Sequence, residues 1–385
     1  MILAVTFILS GFVKAVDPLG TQYKIHDYLA AWGLASFVPD ILTLLAAILL
    51  VAIEFVLGIC LLFAIRRRLV SKVVLAVMLI MTPLTLWLAL ADPISDCGCF
   101  GDALVLTNWQ TLWKNVILLC AAIVVWKAPT LQPRLIGESN QWIVVNYTAL
   151  FILAIAVWSL YDLPQIDCRP YHIGANLRGE EAQGKAEDTQ FEYAFIYEKN
   201  GRRGSFPLYA LPDSTWTFVE ADTLFVEGLG RRNGHPVLSF RDSQGEYLDR
   251  MAAEGKVVVF SVYNPENARW QRIDKHYAEV HEAGGTPLLL VASYPQEIDK
   301  YDIPVDMTVY YADYKTLITL NRSNGGASYF CEGELIEKWD QRDFPEDISW
   351  HLRADPVERN SRFILKRRLK AQGFCLYLAA LLMLV

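Results

Sequence analysis

Cys97 and Cys99 stand either side of a single glycine in DPISDCGCFGDAL, residues 92–104. Two thiols at that spacing can close a very small disulfide ring, and Gly98 permits the tight backbone such a ring needs. A strained bond of that kind is readily reduced, which suits thiol–disulfide exchange better than structural stapling. Exchange requires a thiolate, because the thiolate is the nucleophile. Asp92, Asp96 and Asp102 surround the pair, and like charge disfavours a thiolate. A redox pair here therefore needs compensating charge, for which Lys114 and the start of the following helix are candidates. The other readings are a static bridge, or two small residues at a turn.

Two further polar residues sit inside apolar runs: Glu54 in VAIEFVLGICLL and Asn115 in WKNVILL. A charge at the bilayer centre costs about 2.5 kcal/mol or more, so Glu54 should face other helices, neutral or paired. Together the two read either as a proton or quinone site near the outer leaflet, or as interhelical hydrogen bonds that fix a bundle. Cys60, Cys120 and Cys375 lie in apolar segments and read as small hydrophobes. Cys168 reads either as a partner for the CGC thiols or as an isolated thiol. Cys331 lies at a predicted hairpin tip.

Several function classes drop out. Zinc held by Cys97 and Cys99 would need two more ligands. None is near in sequence, and the six histidines show no ligand spacing, so no metal site is predicted. No phosphate-binding loop, dinucleotide fingerprint or nucleophile elbow is present. A net charge of -7 provides no basic surface for nucleic acid. Seven cysteines are too few for a disulfide-knotted secreted fold.

The elements that must position these residues are mostly membrane helices. The chain has 385 residues, 53% of them hydrophobic, and the apolar excess lies before Tyr161. A bilayer core takes about 20 apolar residues per helix. Pro39 to Ile65, Leu69 to Leu90, Leu112 to Trp126 and Gln141 to Tyr161 approach or exceed that. Met1 to Val16 is a fifth candidate. It lacks the basic n-region and small-residue cleavage site of a signal peptide. Arg66, Arg67, Arg68 and Lys72 crowd one link and assign it to the cytoplasm. Lys127 and Arg134 then also fall inside. The link from Phe12 to Val38, the CGC loop and the domain after Tyr161 fall outside, in the periplasm. Ala371 to Val385, preceded by a basic stretch, reads as a marginal sixth span or an interfacial helix.

The motifs LSGFVKAVDPLG, IEFVLGICLL, DCGCFGD and WKNVILL resemble the DoxX-like MauE family of methylamine utilisation proteins, over roughly residues 1–127. That resemblance implies a four-helix membrane bundle associated with maturation of a disulfide-rich periplasmic dehydrogenase subunit. It also matches Glu54, Cys97, Cys99 and Asn115 to the family's recurrent polar positions. The chain departs from the family by adding a fifth helix within 128–161 and a large domain at 162–360, followed by the basic tail at 361–385.

Within that domain, KVVVFSV and TPLLLVAS read as buried parallel strands. NARWQRIDKHYAEVHEAGG reads as a helix with Trp270, Ile273, Tyr277 and Val280 on one face, ended by Gly284 and Gly285. DYKTLITLNR is a short helix, and GASYF with ELIEKW is an antiparallel hairpin. This order, over about 235–345, resembles an α/β thioredoxin-like domain of periplasmic thiol reductases. The redox apparatus of that fold is missing. YNPEN, Tyr263 to Asn267, replaces its C-x-x-C, and RSNGGASYF replaces its cis-proline segment.

Two functions of different class follow. One is a membrane thiol–disulfide oxidoreductase or maturation factor, acting through Cys97 and Cys99 on a periplasmic client with quinone as the candidate carrier. The other is a non-catalytic membrane scaffold whose redox-dead domain binds a periplasmic partner.

Overall fold

The computed structural model describes residues 1–94, 97–131, 135–164, 166–178, 193–199, 202–207, 217–223, 237–304 and 306–353, together with Tyr377. Asp96, Arg134, Cys375 and the basic tail fall outside the described residues, so the expectations placed on them stand as sequence readings. The chain forms two compact units, one built on Met1–Arg169 and one on Pro170–Leu352.

The first unit is helical: α1 Ile2–Val16, α2 Pro18–Ala31, α3 Asp40–Leu62, α4 Arg67–Ala91, α5 Asn108–Lys127 and α6 Gln141–Tyr161. Helices α3 to α6 are each long and apolar enough to cross a membrane. Leu49, Ile80, Leu90 and Leu150 are exposed on their outer faces, an apolar surface far larger than a water-soluble bundle leaves uncovered.

The stretch from Phe12 to Val38, expected as a plain link, contains α2 instead. Helix α2 follows α1 after a 99° bend, and the pair counts as a fifth span only as a broken one. The cause is local. Pro18 takes the first helical position and the Asp17 carboxylate accepts from Gly20 N at 3.0 Å, so a new helix starts where α1 stops.

Helices α1 and α3 meet through glycines. A Cβ at Gly11 would lie 2.6 Å from the Phe55 backbone nitrogen, and one at Gly58 would lie 2.7 Å from that of Ile8. Small residues at such crossings let helix backbones touch. Phe7, Val51, Phe55, Val144 and Ile152 fill the core. Tyr377 joins it, stacking on Phe151 with ring centroids 3.7 Å apart and donating to Thr148 Oγ1 at 3.3 Å.

The second unit holds two sheets. Strands β1 Tyr193–Lys199, β2 Arg202–Pro207 and β3 Thr217–Thr223 form an antiparallel sheet in the order β2-β1-β3. The larger sheet comprises β4 Lys256–Val262, β5 Thr286–Val291, β6 Val309–Tyr311, β7 Gly326–Cys331 and β8 Glu334–Trp339, in the order β6-β5-β4-β7-β8. Strands β4, β5 and β6 are parallel; β7 and β8 run antiparallel to their neighbours. Helices α7 Trp270–Glu282, α8 Tyr314–Leu320 and α9 Ile348–Arg353 complete it.

Each element read from this region of the sequence is present. Alternate residues of β4 enter two cores: Val258, Phe260 and Val262 pack with Ile273 and Val280 of α7, while Val257 and Val259 pack with Phe240, Leu317 and Phe330. The hairpin turns at Glu332 and Gly333, with φ of 52° and 81°, the doubly positive pair of a two-residue turn.

Each edge of the large sheet is covered in part. Along β8, Gly174 N donates to Leu335 O at 2.7 Å, Leu335 N to Ala175 O at 2.8 Å and Leu177 N to Gly333 O at 2.8 Å. Along β6, Arg241 and Tyr311 exchange backbone hydrogen bonds at 2.9 and 2.8 Å.

Candidate functional site

The CGC loop joins α4 to α5 and is pinned from both ends. Helix α4 stops with Asp92 in the left-handed region, and α5 opens on a capping box made by Thr107 and Gln110. Asn108 donates from Nδ2 to Asp92 Oδ1 at 2.7 Å and to the Ile94 carbonyl at 2.8 Å. The first turn of α5 thereby holds the approach to the cysteines. Helices α1 and α2 hold the cysteines' own backbone. Tyr28 OH donates to the Cys97 carbonyl at 3.2 Å, and Ser10 Oγ lies 2.7 Å from the Cys99 carbonyl. Gly98 takes φ +65°, and a Cβ there would meet Lys24 Cγ at 2.8 Å. The glycine is thus required twice over, by conformation and by space.

The two thiols face each other with sulfurs 2.9 Å apart. Cys97 is buried beside Leu88 and Ile94, and Cys99 is partly exposed. Their electrostatics diverge. The hydrogen bond from Cys97 draws the Cys99 thiol down to about 6; the Lys114 and Lys14 ammoniums assist, against burial and the charge of Glu54. The same hydrogen bond, together with burial, pushes Cys97 up. Of the two sulfurs, Cys99 is the one whose thiolate its surroundings favour. Asp92 is bonded to Asn108, and the charges of two lysines from different helices act on Cys99. Lys114 also lies over the Phe100 ring, 4.6 Å from its centroid.

Glu54 is paired, as its depth in the bundle requires. Lys14 donates to both of its oxygens, at 2.8 and 2.9 Å, and Ser10 Oγ reaches Oε2 at 2.8 Å. Asn115 donates to Thr85 Oγ1 at 3.2 Å and so ties α5 to α4. Both residues thus make the interhelical bonds expected of them. They also line a common cavity of about 40 Å³, whose wall includes Ser10, Lys14, Glu54, Cys99, Lys114 and Asn115. A water needs roughly 10–15 Å³ of such space, so the cavity accommodates water.

Three of the four residues singled out in the sequence therefore meet in one place, with Cys97 immediately behind Cys99. Ser10 and Lys14 are additions. Their signal is the spacing in LSGFVK, which puts a hydroxyl and an ammonium four residues apart on one helix face beside Gly11.

Cys168 is not part of this cavity. Its thiol is raised by burial and by the charges of Asp167, Asp102 and Asp17, the reverse of Cys99. Cys60 is buried in α3 and Cys120 is exposed on α5. In the second unit, the segment Tyr263 to Asn267 is cross-tied to the segment before β7. Asn264 N donates to Asn324 Oδ1 at 3.0 Å, Asn324 Nδ2 donates back to the Asn264 carbonyl at 2.8 Å, and Tyr263 OH donates to the Arg322 carbonyl at 2.9 Å.

Residues 1–128 match the family model described as methylamine utilisation protein MauE. Residues 191–227, which contain β1 to β3, match a domain of unknown function (DUF8463). No curated protein matches the chain.

Proposed function

With a MauE-family bundle of apolar helices as the membrane unit, we propose that this protein performs thiol–disulfide exchange through Cys99 and Cys97 on a client outside the cytoplasm. The observation that carries this reading is the pair itself: two thiols 2.9 Å apart, with Lys14 and Lys114 favouring the thiolate of Cys99. A client thiolate attacks Cys99 of the Cys97–Cys99 disulfide and Cys97 leaves as the thiol. A second client thiolate attacks the client sulfur of that mixed disulfide, and Cys99 leaves as its favoured thiolate. The client is oxidised and the pair is reduced. The pair is returned to disulfide by a two-electron membrane oxidant, for which a quinone meeting the loop from the lipid is the candidate. The basic cluster at Arg66 to Lys72 supports placing the loop on the outer face.

The second unit serves as the client-holding part. Its strand order and its β4-α7-β5 then α8-β7-β8 sequence support a thioredoxin-like domain. Where that fold would carry its two redox segments, this chain has the Asn264–Asn324 amide pair. That observation also favours the second reading, a scaffold whose domain binds a partner without chemistry.

Mixed-disulfide trapping separates the two readings. Cys97→Ser removes the resolving thiol, so client should accumulate on Cys99 as a dithiothreitol-sensitive adduct. Cys99→Ser should abolish the adduct. If neither variant traps anything and the wild-type pair stays inert to disulfides and to reductants, the scaffold reading stands alone.

A further inference from the structure

Ser10 is the hinge of the site's hydrogen bonding. Its Oγ lies 2.8 Å from Glu54 Oε2 and 2.7 Å from the Cys99 carbonyl oxygen. A hydroxyl has one hydrogen, and with Glu54 ionised both neighbours are acceptors. One contact is then oxygen against oxygen. A proton on Glu54 resolves this: the carboxyl donates to Ser10, and Ser10 donates to the Cys99 carbonyl. Lys14 favours the opposite state by donating to both carboxylate oxygens at 2.8 and 2.9 Å. Each protonation state of Glu54 is thus satisfied by a different set of partners.

The surroundings allow a proton to travel. Glu54 and Cys99 share a cavity of about 40 Å³ with Ser10, Lys14, Lys114 and Asn115, enough for two or more waters at roughly 10–15 Å³ each. The charged and titratable groups facing it are Lys14 from α1, Lys114 from α5 and Cys99 from the loop. The α4 wall is Val77, Met78 and Met81.

Resting on the reading of Cys97 and Cys99 as an exchange pair, we propose that Glu54 and Cys99 share one proton, which the carboxyl holds while Cys99 is a thiolate, with Ser10 and Lys14 as positioning residues. The proton leaves the Cys99 thiol, crosses cavity water and ends on the Glu54 carboxylate. The negative charge passes from carboxylate to sulfur within reach of the same two ammoniums. Nothing is oxidised or reduced in this step. The opposition between Glu54 and the two lysines at Cys99 is what two anions competing for one cationic site produce.

The test is the pH dependence of Cys99 alkylation by iodoacetamide in the detergent-solubilised full chain, read by peptide mass spectrometry. Glu54→Gln should shift the profile to lower pH by about one unit, a roughly tenfold gain in rate on the acid side. Lys14→Gln should shift it upward, and Glu54→Asp should restore the wild-type shape. The wild-type chain gives a second readout that needs no variant to fold. A protonated-carboxyl infrared band should appear when the pair is reduced, and Glu54→Asp should move it. A Glu54→Gln profile that coincides with wild type, or the absence of the band, overturns the proposal. If these readouts behave as stated but the pair never cycles with a disulfide, the exchange reading fails and the proton coupling survives. If the pair cycles and neither readout behaves as stated, exchange survives and the proton coupling fails.

Discussion

Lys14→Met tests how much the bundle depends on its buried ion pair. The two side chains are 5% and 9% exposed, and the carboxylate meets three donor contacts, two from Lys14 and one from Ser10. Removing one partner of a buried pair leaves an uncompensated charge and costs about 3–5 kcal/mol. Replacing both partners by apolar groups of similar volume is often near neutral, because the desolvation of two charges is relieved together. Lys14→Met and Glu54→Met should therefore each lower stability by about 3 kcal/mol or more, and the double variant by far less than their sum. The assay is denaturant unfolding of the full chain in detergent, followed by tryptophan fluorescence, as a double-mutant cycle. Single costs below about 1 kcal/mol that simply add in the double variant would refute the reasoning, because that is how an exposed pair behaves.

Three other outcomes follow from the same geometry. Gly58→Leu forces a side chain against the Ile8 backbone, 2.7 Å from the position of a Cβ; it should cost at least about 1–3 kcal/mol in the same unfolding assay, whereas Gly137→Ala, with nothing within 4 Å, should not register. Alkylation of Cys99 should rise through pH about 6 and level off by neutrality, while Cys168, raised by burial and Asp167, should gain rate only in alkaline buffer; equal profiles by peptide mass spectrometry would contradict the favoured thiolate at Cys99. Burial alone would raise the Asp340 carboxyl, but hydrogen bonds from Arg342 hold it below the ordinary value, so its stabilisation is present above the unfolded carboxyl pKa and is lost as pH falls through the lower folded one; Arg342→Ala should cost about 1–3 kcal/mol at neutral pH and progressively less in acid, and a cost independent of pH would count against the linkage.

The strands and helices of the second unit were legible because their patterns are local. KVVVFSV and TPLLLVAS are short apolar runs bounded by turn residues, and Ile273 and Val280 recur at helical spacing. Helix α2 was not legible, since its sequence, PLGTQYKIHDYLAA, has no apolar stripe and depends on the cap at Asp17. The depth of Glu54 demanded a partner, but the partner's identity required knowing that Gly11 and Gly58 let α1 and α3 touch. The electrostatics of Cys99 were only partly legible for the same reason: closeness along the chain put the aspartates in view, whereas the two lysines that act on Cys99 arrive from α1 and α5.

The cover on the start of β8 constrains how any fragment of the chain can be handled. The cover on β8 comes from residues 174–177, which the chain lays down soon after α6. A fragment cut between that stretch and β4 would present the free amides and carbonyls of β8 to solvent, and such rims pair readily with one another. It should precipitate or form dimers that the longer fragment does not. The segment 174–177 is in this sense the domain's own stopper over the start of β8.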